Sequence, residues 1–149
     1  MTDQKKNGKV YLVGAGPGSA DLITVRGAEL LKSAECIICD KLVDSFLLNF
    51  VSPDAEIVNV PKRVGEGSFT QEQINKLLIE KARIYKTVVR LKGGDPCIFG
   101  RGAEEAAFLA QAGIDFEIVP GITAGIAAAE YAGIMLTDRN YSSQVVFVT

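Results

Sequence analysis

Three loops hold the residue types that could do chemistry. GAGPG (14–18), GGDP (93–96) running into CIFGRG (97–102), and PGITAG (120–125) each follow an apolar run and combine glycine with proline. A glycine-rich turn at a strand's carboxyl end lets a ligand lie against backbone, and ligands of open α/β sheets bind at that edge. The first loop approximates a dinucleotide fingerprint but departs from it. The third glycine of G-x-G-x-x-G is replaced by Ser19, and Pro17 removes an amide that a pyrophosphate would use. Asp40 ends the second apolar run, where such folds place a ribose-binding acid. Pro96 keeps Asp95 extended, so Asp95 either turns on its own backbone or meets a ligand. Arg101 lies between two glycines, whose flexibility makes them a poor mount for a surface ion pair. Thr123 reads first as the cap of the helix after it. Three such loops converging on one sheet edge point to a ligand site more strongly than any one alone.

Other chemistry is excluded by what the chain lacks. It has no histidine, which removes Ser-His-Asp and Cys-His catalysis and His-ligated metals. Cys36 and Cys39 are three apart in a strand pattern, so they point to opposite faces and cannot share an ion. Cys97 has no histidine base and is expected to be a small core residue. No metal is expected.

The positioning elements follow from the apolar pattern. Residues 10–13, 36–39, 56–60, 87–91, 116–119 and 145–148 read as strands, the second as a continuous apolar run of the kind covered on both faces. Residues 71–84 carry a helical stripe of Ile74, Leu77 and Leu78, and residues 102–112 form a second helix stopped by Gly113. A small-sided helix follows Thr123. This alternation predicts an α/β fold: a mainly parallel sheet with helices on both faces.

The 149 residues are one domain's length, with 48% hydrophobic and 23% charged residues. Sixteen Lys and Arg against eighteen Asp and Glu argue against a general nucleic-acid binder or an anionic-membrane binder. Three cysteines and no long apolar run suggest a reduced, cytoplasmic setting. The start, MTDQKKNGK, has no apolar stretch behind its charges and is not a secretory signal; residues 1–8 are expected to be a disordered tail. VVFVT ends in mid-strand pattern, which suggests the first half of a two-domain protein.

VYLVGAGPG (10–18) with DLIT (21–24), DKLV (40–43), QEQINKLL (71–78), VVRLKGGDPCIFGRGAEE (88–105) and VPGITAGIAAAEYAGIMLT (119–137) occur in order. On these motifs the chain resembles the tetrapyrrole methylase family over residues 9–149, and within it the branch that C-methylates uroporphyrinogen III. The resemblance implies a two-domain, homodimeric enzyme of which residues 1–149 are the N-terminal α/β domain, inactive by itself. It implies S-adenosyl-L-methionine as methyl donor, S-adenosyl-L-homocysteine as product, a tetrapyrrole substrate and no metal. Two methyl transfers would give precorrin-2, on the sirohaem and cobalamin branch. Pro17, Gly93, Gly94, Asp95, Ile98, Thr123 and Ala124 match donor-contacting positions. Asp40, Lys41, Arg101 and Glu104 match the substrate side, and Arg101 is also the implied catalytic, proton-handling residue.

Because arginine is a poor base in water, Arg101 equally suits a bidentate grip on a substrate carboxylate. Lys41, Lys62, Arg63 and Arg139 are further candidates for the substrate's carboxylates, with solvated surface charge as their ordinary reading. Gly67 and Asp138 stand where many relatives have histidine, Cys97 where phenylalanine is common, and Lys41 where arginine is usual. Two alternatives stay open: a methylase of a later precorrin, and a non-catalytic nucleotide-binding or dimerisation module.

Overall fold

The structure, a computed structural model, describes residues 7–40, 45–60 and 69–149. Five strands form its sheet: β1 (Lys9–Gly14), β2 (Cys36–Asp40), β3 (Glu56–Val60), β4 (Thr87–Lys92) and β5 (Phe116–Val119). All four pairings are parallel, in the order β3-β2-β4-β1-β5. Parallel strands need long crossovers, which are supplied by α1 (Val25–Ser33), α2 (Gln71–Ile84) and α3 (Gly102–Gln111). A fourth helix, α4 (Ala124–Tyr131), follows β5.

The helices divide between the two faces as chain direction requires. The β1-to-β2 crossover runs one way across β4, while β3-to-β4 and β4-to-β5 run the other way. With right-handed crossovers, reversing direction reverses the covered face. Accordingly, Leu30 and Leu31 of α1 pack with Val13, Ile37, Val89 and Leu91. Ile74 and Leu78 of α2 and Leu109 of α3 pack with Val10, Leu12, Ile38 and Val88 on the opposite face. Each fully buried Leu or Ile contributes about 1.5–3 kcal/mol, so both faces stabilise the sheet.

Local signals fix the helix starts. Thr24 accepts a bond from the Gly27 N–H at 3.1 Å. Thr70 and Gln73 form a reciprocal capping box on α2. Of the expected tail, residues 1–6 lie outside the described residues. Gly8 is not tail-like: it is buried, and its N–H donates to the Ala82 carbonyl at 2.7 Å.

The expected strand at 145–148 does not form. Val146 and Val148 are exposed, and the segment has the propensity for a strand without a hydrogen-bonded neighbour among the described residues. No helix among the described residues is long and apolar enough to cross a membrane.

Candidate functional site

Because β4, β1 and β5 are neighbours, the GGDP, GAGPG and PGIT loops emerge side by side at the sheet's carboxyl edge. They are joined through backbone. Gly16 N–H donates to the Gly94 carbonyl at 3.2 Å, and Gly94 N–H returns a bond to the Gly16 carbonyl at 2.7 Å. A Cβ on Gly121 would fall 2.3 Å from the Gly94 oxygen, and one on Gly14 would fall 2.6 Å from the Gly121 Cα. Only glycine permits that approach. Asp95 completes the joint: Oδ1 accepts from Cys97 N–H at 2.8 Å, and Oδ2 from Gly121 N–H at 3.0 Å. Asp95 therefore turns on its own backbone and also ties two loops together.

Around this joint the donor-side residues line one rim. A Cβ on Gly93 would meet nothing within 4 Å, so open space lies over that residue. Gly94 approaches the backbone of Thr123 and Ala124, its virtual Cβ 3.8 Å from each. Pro17 adjoins the Gly16 bridge and is half-buried; Ile98 is 40% exposed in the GGDP loop. Thr123 occupies the N-cap position of α4 with its carbonyl accepting from Ile126 and Ala127, but its side chain makes no capping bond. The expected capping role thus falls to backbone alone. The hydroxyl is left with hydrogen-bonding capacity at the rim.

Cys97 corrects the sequence reading. It is exposed, while its neighbour Pro96 is buried; the Asx turn of Asp95 directs the chain outward at position 97. Cys36 and Cys39 are buried in the two different core clusters and lie on opposite faces.

Arg101 starts α3 in the left-handed region at φ 56°, and its carbonyl accepts from Glu104 and Glu105 N–H at 3.1 and 3.2 Å. Its flanking glycines are not flexible mounts. A Cβ on Gly100 or Gly102 would lie 2.7 or 2.3 Å from the Pro96 carbonyl oxygen, so close packing demands both. The side chain is 59% exposed, and Nε lies 3.8 Å from Glu104 Oε1. Such an exposed, long pair contributes little. Arg101 and Phe99 line a cleft of about 540 Å³ with Phe69, Thr70, Gln71 and Ile74.

Asp40 ends β2 on the face of α2 and α3, where Arg90 Nη2 donates to its Oδ1 at 2.5 Å. Sequence reasoning missed the residues behind it: Arg90, Lys92 and Glu105, all buried. Glu105 Oε1 accepts from Arg90 Nε at 3.2 Å, Lys92 Nζ at 3.0 Å and Gln71 Nε2 at 3.1 Å. The available signal was VVRLK, whose charges recur every second residue and so share one face of a strand. Lys41, Lys62, Arg63 and Gly67 lie outside the described residues. Asp138 and Arg139 sit on an exposed turn closed by Asp138 N–H donating to the Ser142 carbonyl at 2.8 Å.

The family of Tetrapyrrole (Corrin/Porphyrin) Methylases matches residues 9–149. The chain is 56% identical over 142 residues to a uroporphyrinogen-III C-methyltransferase from Synechocystis, covering 95% of this chain and 54% of that protein. It is 52% identical over 146 residues to siroheme synthase 1 of Klebsiella pneumoniae, covering 98% of this chain and 31% of that protein. Among solved structures, it is similar to the Thermus thermophilus uroporphyrin-III C-methyltransferase complexed with S-adenosylhomocysteine. That similarity has a TM-score of 0.77 and 43% identity, covering 92% of this chain and 53% of the other. The chain thus spans about half or less of the length of the relatives it matches. Since the match runs through every strand of the sheet and every loop of its carboxyl edge, the chain belongs to the tetrapyrrole methylase family.

Proposed function

We propose that the full-length protein containing this chain transfers methyl groups from S-adenosyl-L-methionine to carbons of uroporphyrinogen III, giving precorrin-2. The observation that carries this reading is the glycine-joined rim, where Gly93 has open space above it and the Thr123 side chain is not used as a cap. A small-sided rim with backbone groups suits an adenosyl sulfonium, since close approach and alignment are what a methyl displacement needs. The names of the relatives and the bound S-adenosylhomocysteine of the Thermus protein support the same chemistry.

Pro17, Gly93, Gly94, Ile98, Thr123 and Ala124 hold the donor in this proposal, while Asp95 fixes the loops that carry them. Asp40, Arg101 and Glu104 face the tetrapyrrole in this proposal, and Lys41 is assigned to binding it from the motif alone. The exposed guanidinium of Arg101, loosely paired with Glu104, suits a bidentate grip on a carboxylate side arm better than proton removal. This chain is the first of two α/β domains in a cytoplasmic homodimer, and without the second domain it lacks turnover.

Calorimetry on full-length protein tests the donor site, with S-adenosylhomocysteine binding expected in preference to NAD. Methyl uptake by uroporphyrinogen III tests the substrate. Binding of NAD alone would overturn the donor assignment, and uptake only by a later precorrin would move the enzyme down the pathway.

A further inference from the structure

Arg90 and Lys92 of β4 and Glu105 of α3 are buried charges set among apolar core residues. Such a triad is weak as a source of stability, because well-packed apolar residues of similar volume serve as well or better. Its geometry indicates another use. The Arg90 guanidinium is held in three directions: Nε donates to Glu105, Nη1 to the Ile38 carbonyl at 3.3 Å, and Nη2 to Asp40. Ile38 is the ladder partner of Arg90, and Asp40 lies two residues further along β2 on the same face. The fork therefore spans from the middle of the sheet to its carboxyl edge. Glu105 is fixed in turn, one oxygen receiving Arg90, Lys92 and Gln71 together. It lies one helical turn after Arg101, whose carbonyl accepts its N–H at 3.2 Å, and it is buried where the Arg101 side chain is exposed.

We infer that Arg90, backed by Glu105, is a positioning residue that fixes the carboxylate of Asp40 for the tetrapyrrole. This inference rests on the proposed placement of Asp40 on the substrate side. The relay joins β2 and α3, so Asp40 and Arg101 are mounted on one ionic frame. A lysine at 90 would keep the charge but lose the planar fork that reaches three acceptors.

The test is a double-mutant cycle in full-length protein. Arg90→Lys is expected to melt cooperatively and bind S-adenosylhomocysteine as wild type does. Its kcat/KM for uroporphyrinogen III should fall by about tenfold or more. Asp40→Asn should also be impaired, and the double variant should be no worse than Asp40→Asn, because Arg90 acts through Asp40. Losses that multiply, or wild-type turnover in Arg90→Lys, overturn the positioning role alone. Wild-type turnover in Asp40→Asn overturns the placement of Asp40 and the relay with it. If Arg90→Lys does not fold, Glu105→Asp, which withdraws the backing carboxylate by one methylene, enters the same cycle. If uroporphyrinogen III is not methylated, the proposed function fails, and the relay is read from the ¹³C carboxyl resonance of Asp40. That resonance should move in Arg90→Lys; an unmoved signal overturns the relay.

Discussion

Asp95 accepts the backbone N–H of Gly121 at 3.0 Å, so one carboxylate holds the loop after β4 to the loop after β5. Its other oxygen holds Cys97 N–H. Asp95→Ala leaves both donors without this acceptor and should cost about 1–3 kcal/mol. A lower Tm together with weaker S-adenosylhomocysteine binding is the expected result. Unchanged melting and affinity would show that the loops hold together without the carboxylate.

Two glycines separate packing from ligand binding. Gly121→Ala places a methyl 2.3 Å from the Gly94 oxygen and should destabilise by about 1–3 kcal/mol or more, as overpacking does. Gly93→Ala meets no protein atom within 4 Å, and its stability should stay within about 0.5 kcal/mol of wild type. Donor affinity should nevertheless fall, read by calorimetry. A Gly93→Ala protein that binds S-adenosylhomocysteine normally would remove Gly93 from the site.

Arg101 occupies left-handed backbone at φ 56°, which costs a non-glycine residue about 1–2 kcal/mol. Arg101→Gly should relieve that strain, offset by the greater freedom of glycine in the unfolded chain. Stability should be unchanged or up to about 1 kcal/mol higher, while the KM for the tetrapyrrole rises and donor affinity holds. A Tm several degrees lower with normal kinetics would make the residue structural.

The thiols should differ sharply in reactivity. Burial, with the Glu56 carboxylate alongside, pushes the Cys36 thiol up to about 12. Burial also raises Cys39, whereas Cys97 is exposed. At pH 8, alkylation of native protein followed by peptide mass mapping should label Cys97 first. S-adenosylhomocysteine should slow that labelling. Comparable labelling of Cys36 would contradict the burial.

The hydrogen bond from Lys81 holds the Glu56 carboxyl below its ordinary value. A depressed carboxyl stabilises the fold above its unfolded pKa, and that contribution is lost as pH falls through the folded value. The effect is small, because the Glu56 side chain is 38% exposed and solvent screens the pair. Glu56→Gln should therefore be slightly less stable than wild type at pH 7, with the deficit shrinking as pH falls below the ordinary carboxylate range, by urea midpoints. A deficit that does not shrink with pH would assign the loss to packing.

The five strands were legible as short, apolar-rich runs between helix-period segments, and α2 because its stripe is regular. Helix α1 was not singled out: Gly27 interrupts its pattern, yet the missing side chain lets the helix lie against Val13. The strand expected at 145–148 failed because propensity cannot supply a neighbour to pair with. The three loops could be placed at one edge from sequence, but their backbone joint could not, since it depends on β1 lying between β4 and β5. Glu105 was hidden beside exposed Glu104, although Gly102, Glu105, Ala106 and Leu109 share a buried helical stripe.

The alternation along β4 also bears on how the chain folds. Val89 and Leu91 face α1, while Arg90 and Lys92 face Glu105. If β4 inserted between β1 and β2 one residue out of step, every side chain would change face. Both cations would enter the apolar layer of Leu30, Leu31 and Ile37, and Glu105 would be left among hydrocarbon. An all-valine strand would tolerate that slip. The buried charges thus act as a proofreading device for the central strand, penalising a sheet that is out of register.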